Sequence, residues 1–405
     1  MGFDQTAVAM KMVCPTNETI ADDKGIPGAY VRRPSKTLAQ LMGHVEAALT
    51  ATRDYSAGEY ISVAGVLYKA TAAIASGATL TVGTNVAAIA GGTTIHPAFK
   101  IGNSEKASLL FGKFQGIIHN NRLYSLPGEN PASNKDHDNF VTYCQNKGPG
   151  HHEITVAEWA FLALLAKRNG TQPKGNNDYG KDSTETDYVA IPKTRGSNGK
   201  ISHVATGTGP MTWSDDGTMA GIWDLNGNVS EWCIGIRLVK GELQVIPWND
   251  AADPNVPKTA ASTAWKAINA QATDYDDLFI EPDGNGTTAD SVKLDYVSSH
   301  WAWISGTISS QSDSSRNAAF ASTTIDASIS EFAALYLRAM ALAPEPGDTG
   351  YGGDYIYANN GAEERCAFRG GSWVDGAGGG VFCLSFGNGR SRANANIGGR
   401  PAFYE

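Results

Sequence analysis

The first helical pattern lies near the start of the chain, in the stretch SKTLAQLMGHVEAAL from Ser35 to Leu49. Ser35 can cap the first turn. Apolar residues then recur at the spacing of one helix face, at Leu38, Leu41, Met42, Val45 and Leu49. A short helix with a single apolar face needs a partner to cover it. We therefore expect residues 1–53 to attach the protein to an assembly or to bring copies of it together.

Two more helices are predicted further along the chain. Asp138 can cap FVTYCQNK, which Gly148 ends. Thr155 and Glu158 have the spacing of a capping box in front of WAFLALLAKRN, and Gly170 provides the stop. Because this last helix is apolar nearly all round, we expect it to be buried.

Between the first predicted helix and the second, residues 54–93 show an alternating pattern of apolar and polar residues. Apolar and polar residues alternate on both sides of Ala64-Gly65, which indicates a β-hairpin, and Thr79-Leu-Thr-Val predicts a further strand. We therefore expect a small module of three or four strands. The order Gly-Glu-Tyr, Gly-Val-Leu-Tyr-Lys, Leu-Thr, Gly-Thr-Asn resembles small β-modules of bacteriophage tail-fibre proteins, which implies a structural spacer.

From residue 94 to residue 405 the chain is expected to form one larger α+β domain. Within it, residues 234–365 are rich in Asp, Ala, Ser and Thr and show little periodicity. We interpret this segment as a long insertion on the surface of the domain. Its one predicted helix is EFAALYLRAMALAP, at 331–344.

Composition excludes several classes of partner. The chain of 405 residues has a net charge of −9 and no long run of Lys or Arg, so a nucleic acid is not expected to bind. No apolar run approaches the length that spans a membrane, so we expect no membrane insertion. The five cysteines are odd in number and include no CxxC, which favours free thiols, and the start of the chain lacks the apolar core of a signal peptide. We expect the chain to fold in a reducing cytoplasm.

Two separated motifs carry a resemblance to a known fold. GIWDLNGNVSEWC begins at Gly221, and RGGSW at Arg369 is followed by IGGRPA at Ile397. Together with the helix after Thr155, this pair resembles the C-type-lectin-like fold of the formylglycine-generating-enzyme type. Arg369 and Arg400 are expected to donate to loop carbonyls or carboxylates as part of the scaffold.

The resemblance implies no catalytic site. The oxidases of that superfamily need a thiol pair at the places that Asp375 and Gly380 occupy here, and Cys383 is alone. The histidine set of the sulfoxide synthases and the calcium-and-sugar triplet of true C-type lectins are missing from their places. His151-His152-Glu153 is interpreted as a surface or capping cluster rather than a metal site. We expect no enzyme activity, no cofactor and no metal.

The last part of the chain, about 369–400, resembles the variable region of proteins diversified by retroelements. In that family a reverse transcriptase randomises adenines, so that Asn codons vary while a frame of other residues persists. The frame residues here are Arg369–Trp373, Val381-Phe382, Leu384, Arg390-Ser391 and Ile397-Gly398. The resemblance implies ten variable, ligand-binding positions: Val374, Asp375, Gly378, Cys383, Ser385, Gly387, Asn388, Arg392, Asn394 and Asn396. A surface that tolerates random substitution must be exposed.

These resemblances imply a receptor-binding protein at a phage tail tip, hence in the virion after synthesis in the bacterial cytoplasm. The expected partners are a host cell-surface protein or glycan and other phage tail proteins. The chain is also expected to form a homo-oligomer, with a trimer favoured. Weak binding per site is expected, since the variable positions hold no aromatic residue. Two alternatives stay open: a structural tail or surface protein without a ligand, and a formylglycine-generating-type oxidase homologue.

Overall fold

The computed structural model describes residues 16–186 and 189–405. The fold is α+β, with many short strands and few helices. Residues 1–15, with Cys14 and the start of the expected attachment segment, lie outside the described residues. Within the described ranges, no helix is long and apolar enough to cross a membrane.

The elements are numbered in chain order. The α-helices are α1 Leu38–Leu41, α2 His137–Gln145, α3 Val156–Asn169 and α4 Glu331–Ala339. The strands are β1 Glu18–Ala21, β2 Pro27–Pro34, β3 His44–Glu46, β4 Tyr60–Val63, β5 Val66–Ala70, β6 Val86–Ala88, β7 Lys100–Ile101, β8 Ser104–Glu105, β9 Ser108–Gly112, β10 Gly116–His119, β11 Arg122–Ser125, β12 His151–Glu153, β13 Ser230–Val239, β14 Glu242–Val245, β15 Lys266–Ile268, β16 Phe279–Ile280, β17 Lys293–Val297, β18 His300–Ile304, β19 Arg316–Ala319, β20 Thr324–Ile325, β21 Tyr355–Ala358, β22 Arg365–Arg369, β23 Leu384–Asn388, β24 Ile397–Gly398 and β25 Pro401–Phe403. Short 3-10 helices lie at Pro97–Phe99, Met211–Trp213, Asp250–Ala252, Phe320–Ser322 and Gly376–Gly378.

Two sheets form most of the structure. The larger has 12 strands, with the path β19-β21-β23-β22-β13-β14-β17-β18-β20 and with β15, β16 and β24 paired beside it. The other has five strands in the order β1-β2-β9-β25-β12, so the last strand in the chain, β25, lies between β9 and β12. The small module is the four-stranded sheet β3-β4-β5-β6, and β10-β11 and β7-β8 are two-stranded.

The central helix α3 matches its sequence prediction. Thr155 accepts a hydrogen bond from the Glu158 N–H, the Glu158 carboxylate accepts one from the Thr155 N–H, and Gly170 ends the helix at φ 69°. Its residues from Val156 to Leu164 are all buried, as an apolar helix requires. The predicted α2 is also present, but its cap is Asp136 rather than Asp138.

The prediction of one long N-terminal helix over Ser35–Leu49 is wrong. The structure has one helical turn, α1, and the chain then reverses at Gly43, which has φ 75°. A Cβ at Gly43 would lie 2.8 Å from a side-chain carbon of Leu67, so the turn packs directly on the module. Residues after the turn form β3, which pairs in parallel with β4, and Val45 on it is 58% exposed. The apolar stripe therefore spans two different elements.

The small β-module has the predicted hairpin. Ala64 and Gly65 both have positive φ, at 49° and 82°, which fits the two-residue turn between β4 and β5. The strand predicted at Thr79-Leu-Thr-Val is not formed: Thr79 makes a single bridge to Thr50, and β6 follows instead. The module packs on the rest of the chain, since the Tyr60 hydroxyl lies 2.7 Å from the Glu331 carboxylate at the start of α4.

Residues 234–365 are not an insertion on the surface. Trp301, Trp303 and much of α4 belong to the same buried cluster as α3, and both tryptophans are fully buried. The segment supplies strands β14–β21 to the larger sheet. Its strands are short and separated by long polar loops, so apolar periodicity within any one window is too brief to identify them.

Candidate binding surface

The apolar frame residues of the C-terminal segment lie in the core, except Trp373, which is half-buried. Of the polar frame residues near the end of the segment, Arg390 is half-buried and Ser391 is exposed. Val381, Phe382, Leu384, Phe386 and Ile397 are all buried. The Phe382 ring contacts Phe320 and Tyr351 at centroid distances of 5.2 and 4.9 Å, and the carbonyl of Val381 accepts a hydrogen bond from the Trp159 indole at 2.8 Å. The segment is thus tied to the buried helix α3.

Two buried arginines hold the ends of this segment, as the sequence predicts. Arg369 donates to the carbonyls of Met340 (3.1 Å) and Ala341 (3.0 Å). Arg400 makes a bidentate pair with Glu231 at 2.8 and 2.7 Å, with both side chains fully buried. The Arg400 guanidinium also donates to three backbone carbonyls, those of Gly112, Trp223 and Asp224. These arginines are scaffold residues rather than a binding site.

The loop after Trp373 carries two predicted variable positions with different roles. Val374 is 47% exposed. The Asp375 carboxylate accepts hydrogen bonds from the Ser372 N–H at 2.6 Å and from its hydroxyl at 2.9 Å. Its other oxygen accepts one from the Tyr355 hydroxyl at 2.8 Å. Asp375 is therefore half-buried and orders the loop, whereas Val374 is free to vary.

Two tyrosines of β21 lie directly over two predicted variable glycines. A Cβ at Gly378 would stand 2.2 Å from the ring of Tyr355, and a Cβ at Gly387 would stand 2.6 Å from the ring of Tyr357. The two rings meet at a centroid distance of 6.5 Å, and Tyr357 is 38% exposed. The glycines leave room for both rings, which stand at 74° to each other.

Cys383 and Ser385 do not meet the expectation of exposure. They are 2% and 3% exposed. β21 runs parallel to β23 with Tyr357 opposite Ser385, so these short side chains stand beside larger tyrosines that cover them. Burial holds the pKa of the Cys383 thiol well above its ordinary value. All four described cysteines are buried and free.

Six residues make one continuous surface, which we call the tyrosine surface: Tyr355, Tyr357, Val374, Asp375, Gly378 and Gly387. The Asn396 amide lies 3.4 Å from the Ser372 hydroxyl, next to Asp375, and so borders it. Asn388 is half-buried at the end of β23. The following loop holds the remaining two positions: Arg392 is exposed, and the Asn394 side chain accepts from the Ala395 N–H.

The sequence interpretation missed Tyr355 and Tyr357, which come from the segment treated as an insertion. Their signal was the alternation Tyr-Ile-Tyr-Ala at 355–358, which is typical of a strand with one aromatic face. Ile356 and Ala358 enter the core, and the tyrosines occupy the opposite face. The candidate surface therefore has aromatic side chains, although the predicted variable positions hold none.

The His151-His152-Glu153 cluster is not at the surface. It forms the buried strand β12, where His152 lies 2.7 Å from the Glu158 carboxylate and so supports the capping box. Glu153 accepts from the Arg400 N–H at 3.0 Å, and burial raises its pKa well above the ordinary value. A Cβ at Gly399 would lie 2.2 Å from the Glu153 carboxylate, so glycine is required there. Among the described residues, no group of three His, Cys, Asp or Glu side chains could hold a metal.

We expect Gly378→Ala and Gly387→Ala each to lower the free energy of unfolding by about 1–3 kcal/mol, since the new methyl group must displace a tyrosine ring. Neither glycine has a positive φ, so the backbone itself accepts alanine. Urea unfolding measures the change. Gly389→Ala is the matched control, because its Cβ would make only ordinary contacts at 3.6 Å. Equal effects at all three positions would contradict the ring contacts.

Comparison with known proteins assigns this chain to no family. No family model and no curated protein matches the chain. Among solved structures, variable protein 1 of Treponema denticola matches over 96% of this chain and 99% of its own length, with 11% sequence identity and a TM-score of 0.29. At that TM-score the likeness establishes neither a shared fold nor a shared function.

Proposed function

We propose that this chain is a ligand-binding protein that displays a diversified surface on a C-type-lectin-like scaffold of the formylglycine-generating-enzyme type. One observation carries the proposal. Within a single segment of about 30 residues, the frame residues Val381, Phe382, Leu384 and Ile397 are buried, while Val374, Asp375, Gly378 and Gly387 form part of one continuous surface. The sequence motifs for the fold and for the variable region support the same interpretation.

The physical basis is that exposed and buried positions differ in how much a substitution changes the free energy of unfolding. Substitution of an exposed side chain usually changes the free energy of unfolding by less than about 0.5 kcal/mol, whereas truncation of a core residue costs several. Val374 and Arg392 satisfy the first condition. Cys383 and Ser385 do not, because they are buried, and Gly378 and Gly387 do not, because a Cβ there would meet a tyrosine ring. Variation at these four positions is therefore restricted unless the tyrosines move.

The proposed partner is a host cell-surface protein or glycan, with the protein carried at a phage tail tip together with other tail proteins. Tyr355 and Tyr357 raise the binding strength expected for a single site, since tyrosine supplies large contact area at low entropic cost. Display of several copies, most simply as a trimer, would strengthen binding further. In this proposal the chain is not an enzyme.

The test is a triple variant, Val374→Thr with Asn388→Ser and Arg392→Ser. We expect it to change which bacterial cells the purified protein adheres to, while the melting temperature stays within a few degrees, because these side chains are exposed or half-buried. Asp375 and Ser385 are excluded from the set, since the first bonds the loop and the second is buried. Adherence to a panel of strains is the measurement.

The matched control is a triple variant far from this surface in the chain, Lys24→Ser with Val82→Thr and Asn103→Ser, all exposed. It should adhere as the parent protein does. Adherence of the parent to no strain would favour the alternative, a structural tail or surface protein without a ligand. Tight copper binding in a titration would favour an oxidase homologue. Diversification itself predicts a genomic near-copy of the coding segment for 369–398 that differs only at adenines.

A further inference from the structure

We propose that a cleft beside the tyrosine surface binds a saccharide that carries a carboxylate, such as a uronic acid unit. The cleft has a volume of about 480 Å³ and lies between the loop at 194–203 and the start of the variable segment. That size is in the range of small-molecule sites. The proposal goes beyond the proposed function, because it does not require the segment to be diversified.

Two aromatic residues, Tyr179 and Trp373, form the apolar part of the cleft, which we call the Tyr179–Trp373 cleft. Both are partly exposed, and the Tyr179 N–H donates to the Trp373 carbonyl at 2.9 Å. The buried His203 ring meets the Trp373 ring edge-on at a centroid distance of 4.8 Å. One His203 nitrogen lies 2.8 Å from the Ala395 carbonyl, which fixes the imidazole. The aromatic walls are therefore ordered before any ligand arrives, which lowers the cost of binding.

The polar part of the cleft is made of amides, hydroxyls and cations. Asn130, Asn134 and Asn198 line it, and Arg195 and Lys200 supply positive charge. None of its lining residues is Asp or Glu, although the whole chain has a net charge of −9. A site of this charge excludes a cationic ligand and complements a carboxylate.

These two parts together match the chemistry of an acidic sugar. A sugar ring has an apolar face of C–H groups that can lie against an aromatic ring, and hydroxyls at its rim that pair with amides. A carboxylate on the ring would reach Arg195 or Lys200. The Lys200 ammonium already lies over the Tyr179 ring at 4.3 Å, so the cation and the apolar wall are adjacent. An acidic peptide would use the cations but would leave the aromatic wall without a ring to contact.

The experiment is a titration of the full chain with methyl glucuronide, with methyl glucoside as the neutral partner, followed by tryptophan fluorescence and ligand-observed NMR. We expect the glucuronide to bind at least about tenfold more tightly than the glucoside, since a charge-assisted hydrogen bond contributes that much. Lys200→Gln and Arg195→Gln should each remove most of this preference. Lys193→Gln is the matched control, because Lys193 is exposed directly before the same loop but does not line the cleft.

Three outcomes would overturn the proposal: no binding of either sugar, equal binding of both sugars, or tighter binding of a short glutamate peptide than of the glucuronide. A preference for the glucuronide that the Lys200 and Arg195 variants leave intact would place the sugar elsewhere and would overturn it as well. The titration uses a free sugar and no cells. Failure here therefore leaves the adherence test of the proposed function unaffected.

Discussion

Arg400→Met should lower the free energy of unfolding by about 3–5 kcal/mol, because it leaves the Glu231 carboxylate buried without its cation. Both side chains are fully buried, and the guanidinium also bonds the carbonyls of Gly112, Trp223 and Asp224. One substitution thus removes the side-chain bonds that join the end of the proposed variable segment to β9 and β13. Urea unfolding at neutral pH measures the loss.

Two further variants separate a charge effect from lost packing. Arg400→Met combined with Glu231→Leu should recover a large part of the loss, since an apolar pair of similar volume leaves no charge unpaired. Arg32→Met is the control for an accessible pair: Arg32 and Glu18 are each about one-third exposed (34% and 35%), so a change below about 1 kcal/mol is expected. A double variant no more stable than Arg400→Met would show that the carboxylate is not the source of the loss.

Asp354→Asn should make the protein more stable than the parent by an amount that grows with pH. Asp354 lies under the variable segment, where it accepts hydrogen bonds from the N–H groups of Phe382 (2.7 Å) and Cys383. Burial raises its pKa from 3.8 to about 8. The folded protein therefore keeps a proton that the unfolded chain loses, and the parent loses stability as pH rises from about 4 to 8.

Asparagine cannot ionise, so the stability difference between variant and parent should widen by about 1.4 kcal/mol per pH unit over that window. Urea unfolding at pH 5, 6, 7 and 8 gives the slope, and the comparison with the parent cancels the buried histidines. Asp326→Asn is the control, because a hydrogen bond from Ser328 lowers the pKa of that exposed acid. Its difference from the parent should be constant above pH 5. A constant difference for Asp354→Asn would mean that its carboxyl is ionised in the folded protein.

Both predictions concern the support beneath the proposed binding surface rather than the surface itself. Arg400 holds the end of the variable segment, and Asp354 holds its middle through the backbone of Phe382. Neither interaction depends on the side chains at Val374 or Arg392. A surface can change its side chains safely only if its backbone is held in this way, from below and by residues outside the varied set.

Local sequence signals were sufficient to predict an element when the contacts that define that element all lie within it. The capping box of Thr155 and Glu158, the stop at Gly170 and the turn at Ala64-Gly65 were predicted from the sequence and are present. Each depends on hydrogen bonds or backbone angles within a few residues. The prediction of a long N-terminal helix was wrong for the opposite reason. The chain reverses at Gly43, and this turn packs against Leu67 of another element.

The candidate surface was predictable only in part. The resemblance to diversified proteins placed Val381, Phe382, Leu384 and Ile397 in the frame, and these four are buried, whereas the frame residue Ser391 is exposed. Exposure of Ser385 and Cys383 was predicted wrongly. Whether a short side chain on a strand is exposed depends on what stands on the neighbouring strand, and here that strand carries Tyr355 and Tyr357 from a distant part of the chain.

The sequence by itself determined the buried helix α3, the hairpin of the small module and the scaffold role of the two arginines, because their signals are local or follow from side-chain type. Only the tertiary structure decided that residues 234–365 belong to the core, that two tyrosines cover the strand with the predicted variable positions and that Tyr179 meets Trp373 in a cleft. These features depend on pairings between residues far apart in the chain. No local pattern specifies such pairings, since they depend on how the strands assemble into one sheet.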